Sequence, residues 1–130
     1  MATDLYPSVT PELTHLRSQL APESAAAFHA FGEAVFAEGA LSVRAKQIIA
    51  VAVAHVTQCP YCIKGHTREA LGEGASPGEI VEAIWVAAEM RAGAAFAHSI
   101  IALAQMNGEQ PGTGTGHDHR HDREEPVHEH

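Results

Sequence analysis

Proline recurs in this chain at positions where helices begin, and that placement constrains the fold more than any other feature. Thr10-Pro11-Glu12 gives an N-capping hydroxyl, a proline at the first helical position and an early acid. Proline is tolerated there because its missing N–H would have had no intrahelical partner. The spacing predicts a short helix ending near Leu20. Pro22 opens a second helix through Phe28, Phe31 and Val35, stopped at Gly39. Ser42 caps a third, about Val43 to Thr57. Cys59 stands at or near the next N-cap, with Pro60 at the first helical position of a fourth helix that runs to about Gly72–Gly74. Ser76-Pro77-Gly78-Glu79 reads as a capping box opening a fifth helix, with Ile80, Ile84, Trp85 and Ala88 on one stripe. Gly93 marks a break or kink, after which Ala94 to Met106 continues as a sixth helix or an extension. No segment alternates as a strand does. The expected class is all-α, with about six helices.

The run Ile48-Ile49-Ala50-Val51-Ala52-Val53-Ala54 is the one place where a buried strand competes. The Ser42 cap and the polar Arg44, Lys46, Gln47 start favour helix. Being apolar nearly all round, it reads as a central buried helix. After Gln110 the composition changes to Pro111-Gly112-Thr113-Gly114-Thr115-Gly116, a flexible linker, and then to a segment rich in histidine and acid. We therefore expect a helical domain over residues 1–108 and a flexible tail over 109–130 that lacks the apolar residues to bury a core.

The 130 residues amount to one domain, and 45% are apolar, enough for a core without disulfide staples. The part with helix signals, roughly 105 residues, is small enough that oligomerisation is expected. Net charge is −8 with histidines neutral. There is no basic stripe and no aromatic–basic interleaving, so a nucleic-acid partner is not expected. The N-terminus lacks the basic and apolar regions of a secretory leader, and no uninterrupted apolar run reaches about 18 residues. A cytoplasmic protein with no membrane partner is expected. In that compartment a closely spaced cysteine pair is more often catalytic or metal-binding than structural.

Both cysteines of the chain fall in Cys59-Pro60-Tyr61-Cys62-Ile63-Lys64-Gly65-His66. Offsets of three and seven residues put both thiols and the imidazole on one helical face. Thiols react as thiolates, and a helix N-terminus stabilises negative charge. A lowered thiol pKa is expected for at least one of the pair, and His66 is placed to take or relay a proton. Two other readings stay open. Cys59, Cys62 and His66 could hold zinc, with His55 or His98 as a fourth ligand. The cysteines could also be inert and buried. A thioredoxin-like fold would require a βαβ pattern around the motif, and the flanks are helical.

The run from Leu41-Ser42 through Arg44, Lys46-Gln47-Ile48-Ile49-Ala50-Val51-Ala52-Val53-Ala54-His55 to Cys59-Pro60-Tyr61-Cys62 and Gly65-His66-Thr67 resembles the carboxymuconolactone decarboxylase family, in its alkylhydroperoxidase D-like branch. Met90-Arg91-Ala92-Gly93-Ala94-Ala95 is similar to a second recurrent family segment. The resemblance covers roughly residues 25 to 105. It implies a helical bundle assembled as a homotrimer or homohexamer. It also implies a thiol-dependent peroxidase or disulfide oxidoreductase with no required cofactor. Its partners would be a hydroperoxide substrate and an external dithiol reductant. By resemblance, Cys62 attacks the peroxide, Cys59 resolves the sulfenic acid to a disulfide, and His66 relays protons. The decarboxylases proper lack this cysteine pair, so decarboxylation of a lactone is disfavoured.

One position departs from the family pattern. Where the proton relay normally includes a glutamate, this chain has Gln47, which can orient a partner but cannot take a proton. His55 is a candidate substitute because positions 47, 51 and 55 share one helical stripe; Glu89 and His98 are further candidates. In the tail, His117, His119, His121, His128 and His130, interleaved with acids, could bind a divalent metal incidentally or functionally. The alternatives to the enzyme are therefore a metal-binding protein and a weakly active redox sensor or scaffold.

Overall fold

The computed structural model describes residues 5–108. The tail histidines and the 109–130 boundary lie outside the described residues. Five helices follow in order: α1 (Pro11–Leu20), α2 (Pro22–Phe36), α3 (Val43–Thr57), α4 (Pro60–Gly72) and α5 (Pro77–Met106). Among the described residues there is no strand, and no helix is long and apolar enough to cross a membrane. The chain divides into two compact units, one up to Ala94 and one from Ala95 onward.

The caps form as the sequence dictates. Thr10 Oγ1 accepts from the Leu13 N–H at 3.2 Å, and Ser42 Oγ from the Ala45 N–H at 3.1 Å. Ser76 and Glu79 exchange reciprocal bonds of 3.1 Å, each side chain accepting from the other's N–H. Glu79 also pairs with Arg44, tying the start of α5 to the start of α3. Its carboxyl is held below the usual carboxylate range, chiefly by the Ser76 N–H and then by the Arg44 guanidinium.

The expected break at Gly93 is absent, and α5 continues through it. A lone glycine in a helix costs only about 1 kcal/mol relative to alanine, and the alanine-rich flanks carry the helix across. The described residues therefore form five helices, and of the two expected outcomes for Ala94 to Met106, a sixth helix or an extension, the extension holds.

The first unit is organised around the α3–α4 pair. Val51 and Ala70 are fully buried where these helices meet, with Ala75 and Ile80 beside them and Ile48 and Ile84 packed against the cluster. The expectation that α3 is buried all round does not hold for the single chain. Gln47, Val51 and Ala54 form its buried face, while Ile49 and Val53 on other faces are about half exposed (48% and 51%). Among the described residues only α4 packs extensively against α3, so the remaining apolar surface opens onto a pocket and solvent. The expected α5 stripe divides similarly: Ile80 is buried and Trp85 is 71% exposed.

The link between α3 and α4 sets the site. Gln58 takes a left-handed conformation (φ 58°), and its N–H and that of Cys59 both return to the Ala54 carbonyl. For a non-glycine residue this conformation costs on the order of 1 kcal/mol. It reverses the chain in one step and delivers Cys59 directly to the head of α4.

Candidate active site

Cys59 is the N-cap of α4, and its sulfur accepts from the Cys62 N–H at 3.3 Å. Pro60 has no N–H to offer, so the first free amides of the helix turn toward the Cys59 sulfur. The two sulfurs lie 2.7 Å apart with both cysteines free. The sulfurs are in direct contact, and closing a disulfide of about 2.05 Å needs only a small side-chain movement.

The pair is electrically asymmetric. The Cys59 thiol is held below its ordinary value, most strongly by hydrogen bonding from the Cys62 side chain, then by the Cys62 N–H and, with burial opposing, by the Tyr61 N–H. The Cys62 thiol is pushed up by its bond to Cys59, by burial and by the Cys59 charge. The arrangement therefore favours ionisation at Cys59 over ionisation at Cys62. The expected lowering thus falls on one member of the pair, the capping cysteine. As pH rises from acid, Cys59 becomes thiolate below the ordinary thiol pKa and Cys62 only above it. Iodoacetamide labelling across a pH series, located by fragmentation of the peptide carrying both, is expected to modify Cys59 first. Labelling of Cys62 first would place the anion on the other sulfur.

His66 stands one turn beyond Cys62. Its Nδ1–H donates to Gln47 Oε1 at 2.7 Å. Gln47 is buried on α3, and its amide oxygen can only accept. The bond therefore fixes the neutral imidazole as the Nδ1–H tautomer and leaves Nε2 as its basic nitrogen. Phe36 at the end of α2 stacks on the ring, centroids 5.2 Å apart and planes inclined by 21°.

A pocket of about 460 Å³ opens beside the pair, lined by Cys62, His66 and Lys46 together with apolar side chains of α2 and α3, among them Val35, Phe36, Ile49 and Val53. Cys59 is not among the lining residues. Lys46 Nζ donates to the carbonyls of Val35 at 2.8 Å and Ala37, closing the end of α2. On the loop side, Tyr61 donates its hydroxyl to the Pro7 carbonyl at 2.8 Å and meets Tyr6 edge-on, so the N-terminal segment is fastened to the residue between the cysteines.

Of the site residues expected from sequence, the fold brings together Cys59, Cys62, His66 and Gln47. It does not bring His55 to them: His55 Nδ1–H donates to the Val51 carbonyl of its own helix at 2.7 Å, and the residue is not on the pocket. Glu89 is exposed on α5, and His98 is exposed in the second unit. Among the described residues no three His, Cys, Asp or Glu side chains are grouped to hold a metal ion, so the zinc arrangement of Cys59, Cys62 and a histidine has no geometric support there. Phe36, Lys46 and Tyr61 were not anticipated at the site. Lys46 read only as the polar start of a helix, and nothing local in the sequence marks Phe36.

The sequence pattern of the Carboxymuconolactone decarboxylase family matches residues 22–105, a span holding the dithiol, His66 and Gln47. The chain belongs to this family. A Paracoccus denitrificans member of the similar proteins, described as "Uncharacterized protein 4 in cox locus", is 64% identical over 81 residues, 62% of this chain and 73% of that one. An uncharacterized protein of Cupriavidus necator is 31% identical over 89 residues, 68% of this chain and 79% of that one. Similar crystal structures include two. One, of a protein from Methanobacterium thermoautotrophicum, has 40% identity and a TM-score of 0.62, covering 65% of this chain and 94% of that chain. The other is an apo carboxymuconolactone decarboxylase family protein from Legionella pneumophila, with 28% identity and a TM-score of 0.57, covering 75% and 87%. The family match begins at α2, so α1 and the segment fastened to Tyr61 lie outside it.

Proposed function

We propose that this protein is a thiol-dependent peroxidase or disulfide oxidoreductase that reduces hydroperoxides through a Cys59–Cys62 redox pair. The observation that carries the reading is the contact of the two sulfurs at the head of α4, with Cys62 and His66 both lining an apolar pocket. Family membership supports it in outline, since the family includes enzymes of this kind.

The geometry suggests a division of labour. Cys62 faces the pocket and meets the peroxide. Its proton has a nearby acceptor in the Cys59 thiolate, and transfer across that bond gives a Cys62 thiolate and a Cys59 thiol. The Cys62 sulfur attacks the peroxide, the O–O bond breaks, and an alcohol leaves with a proton, to give a Cys62 sulfenic acid. The Cys59 sulfur then displaces the sulfenic oxygen as water. The sum is two thiols and one hydroperoxide giving a disulfide, an alcohol and water. An external dithiol restores the pair by exchange and is itself oxidised to its disulfide. His66 Nε2 serves as the proton shuttle in both halves. Sulfur carries the chemistry, so no cofactor is required.

The exposed Phe28 (75%), Phe31 (63%) and Trp85 suit burial against further copies of the chain, as in a homotrimer or homohexamer. Gln47 favours a second reading, a redox sensor that closes its disulfide with little turnover.

The test is a count of free thiols by mass spectrometry on reduced, metal-stripped protein before and after one equivalent of peroxide. Loss of both thiols with a mass two hydrogens lighter is expected. Thiols that survive a large peroxide excess would overturn the proposal.

A further inference from the structure

We propose that the pocket selects amphiphilic hydroperoxides that carry a carboxylate, with Lys46 receiving the carboxylate while the peroxide meets Cys62. The inference rests on the peroxidase reading above and narrows its substrate class. The pocket lining carries one formal positive charge, Lys46, and no carboxylate. The rest of the lining is almost wholly apolar. A neutral alkyl peroxide would use only that apolar wall, whereas an acyl chain ending in a carboxylate would use both features.

The two ends are separated in a way that suits such a molecule. Gln47 is paired with His66 and Ala54 with Cys59, so α3 and α4 run antiparallel and the dithiol lies toward the C-terminal half of α3. Lys46 lies one to two helical turns back along α3, on the order of 10 Å at 1.5 Å rise per residue. Lys46 also holds the end of α2, donating to the Val35 and Ala37 carbonyls. An ammonium has three donors, so one remains for a ligand. The negative end of α2 is equivalent to about half a charge, so the full charge of the ammonium leaves a net positive charge there. A lysine serving only as a cap would give no discrimination between an acid and its ester.

The experiment uses the full reduced chain and follows disulfide formation by mass. It compares linoleic acid hydroperoxide oxygenated at carbon nine, its methyl ester and cumene hydroperoxide, all below micellar concentrations. The acid is expected to half-saturate at a concentration at least about tenfold lower than the ester, with the gap shrinking as salt is raised. Lys46→Met is expected to bring the acid-to-ester ratio toward one and Lys46→Arg to preserve it, thermal unfolding being followed in parallel. Equal behaviour of acid and ester in the unmutated chain overturns the proposal without reference to any variant. Failure of the peroxidase reading looks different, since none of the three peroxides then closes the disulfide. In that event, equilibrium binding of linoleic acid and its methyl ester decides. Preference for the acid keeps the carboxylate site, and equal binding removes it.

Discussion

Cys62→Ser is expected to lower peroxide turnover by at least about 10³-fold, as loss of a nucleophile does where no neighbour can replace it. The Cys59 thiolate is only 2.7 Å from the missing sulfur, yet it does not line the pocket, so it is a poor substitute for an attacking group there. Cys59→Ser should behave differently. It retains the Cys62 sulfur in the pocket, loses the thiolate that accepts its proton, and leaves no partner to resolve the oxidised sulfur. It is expected to cleave peroxide once, slowly, and to stop at a Cys62 sulfenic acid that dimedone traps. Serine at the N-cap still accepts from the α4 amides, so the helix start survives both in principle and in the thermal unfolding that should accompany the assay. Equal, complete oxidation kinetics in the Cys62→Ser protein would reverse the roles of the two sulfurs.

Gln47→Glu is expected to raise the rate of peroxide-driven disulfide formation by about tenfold to a hundredfold, within the range a positioned base contributes. The amide oxygen of Gln47 already holds His66 Nδ1–H at 2.7 Å, so a carboxylate oxygen in the same place keeps the geometry and adds charge. That charge stabilises the imidazolium formed when Nε2 takes a proton, as the carboxylate of a catalytic triad does. The site is buried, so the carboxylate is favoured while His66 is protonated, and protonation of the introduced carboxyl should add a further step to the acid limb of the rate. Gln47→Leu should act oppositely, leaving Nδ1–H without its acceptor at a cost of about 1–3 kcal/mol. An unchanged rate and pH profile in Gln47→Glu would show that His66 does not move the proton in the slow step.

How far the sequence is legible differs from residue to residue. The helix starts follow from local chemistry: a capping oxygen or sulfur for α1, α3 and α4, a proline at the first position for all but α3, and a reciprocal box at Ser76 and Glu79. At Gly93 the sequence left a sixth helix and an extension both open, because a glycine reads as punctuation even where the helix propensity on either side outweighs it. Cys59, Cys62 and His66 were legible as a constellation because they share one helix, where spacing alone fixes a common face. Gln47 was legible as a site position only through resemblance. Its contact with His66 spans nineteen residues, and periodicity carries no information over that distance.

His55 shows the limit from the other side. It shares a stripe with Gln47 and Val51, yet its imidazole turns back to its own helix, because a donor one turn from a buried carbonyl satisfies it at once. The sequence by itself determined the helical class, the capped starts and the thiol–thiol–imidazole face, since each depends on neighbours within one or two turns. The tertiary structure decided which thiol is the easier to ionise, which sulfur faces the pocket, and that Phe36 and Lys46 complete its wall. Those outcomes depend on how α2, α3 and α4 pack, and packing is set by contacts between residues distant in sequence.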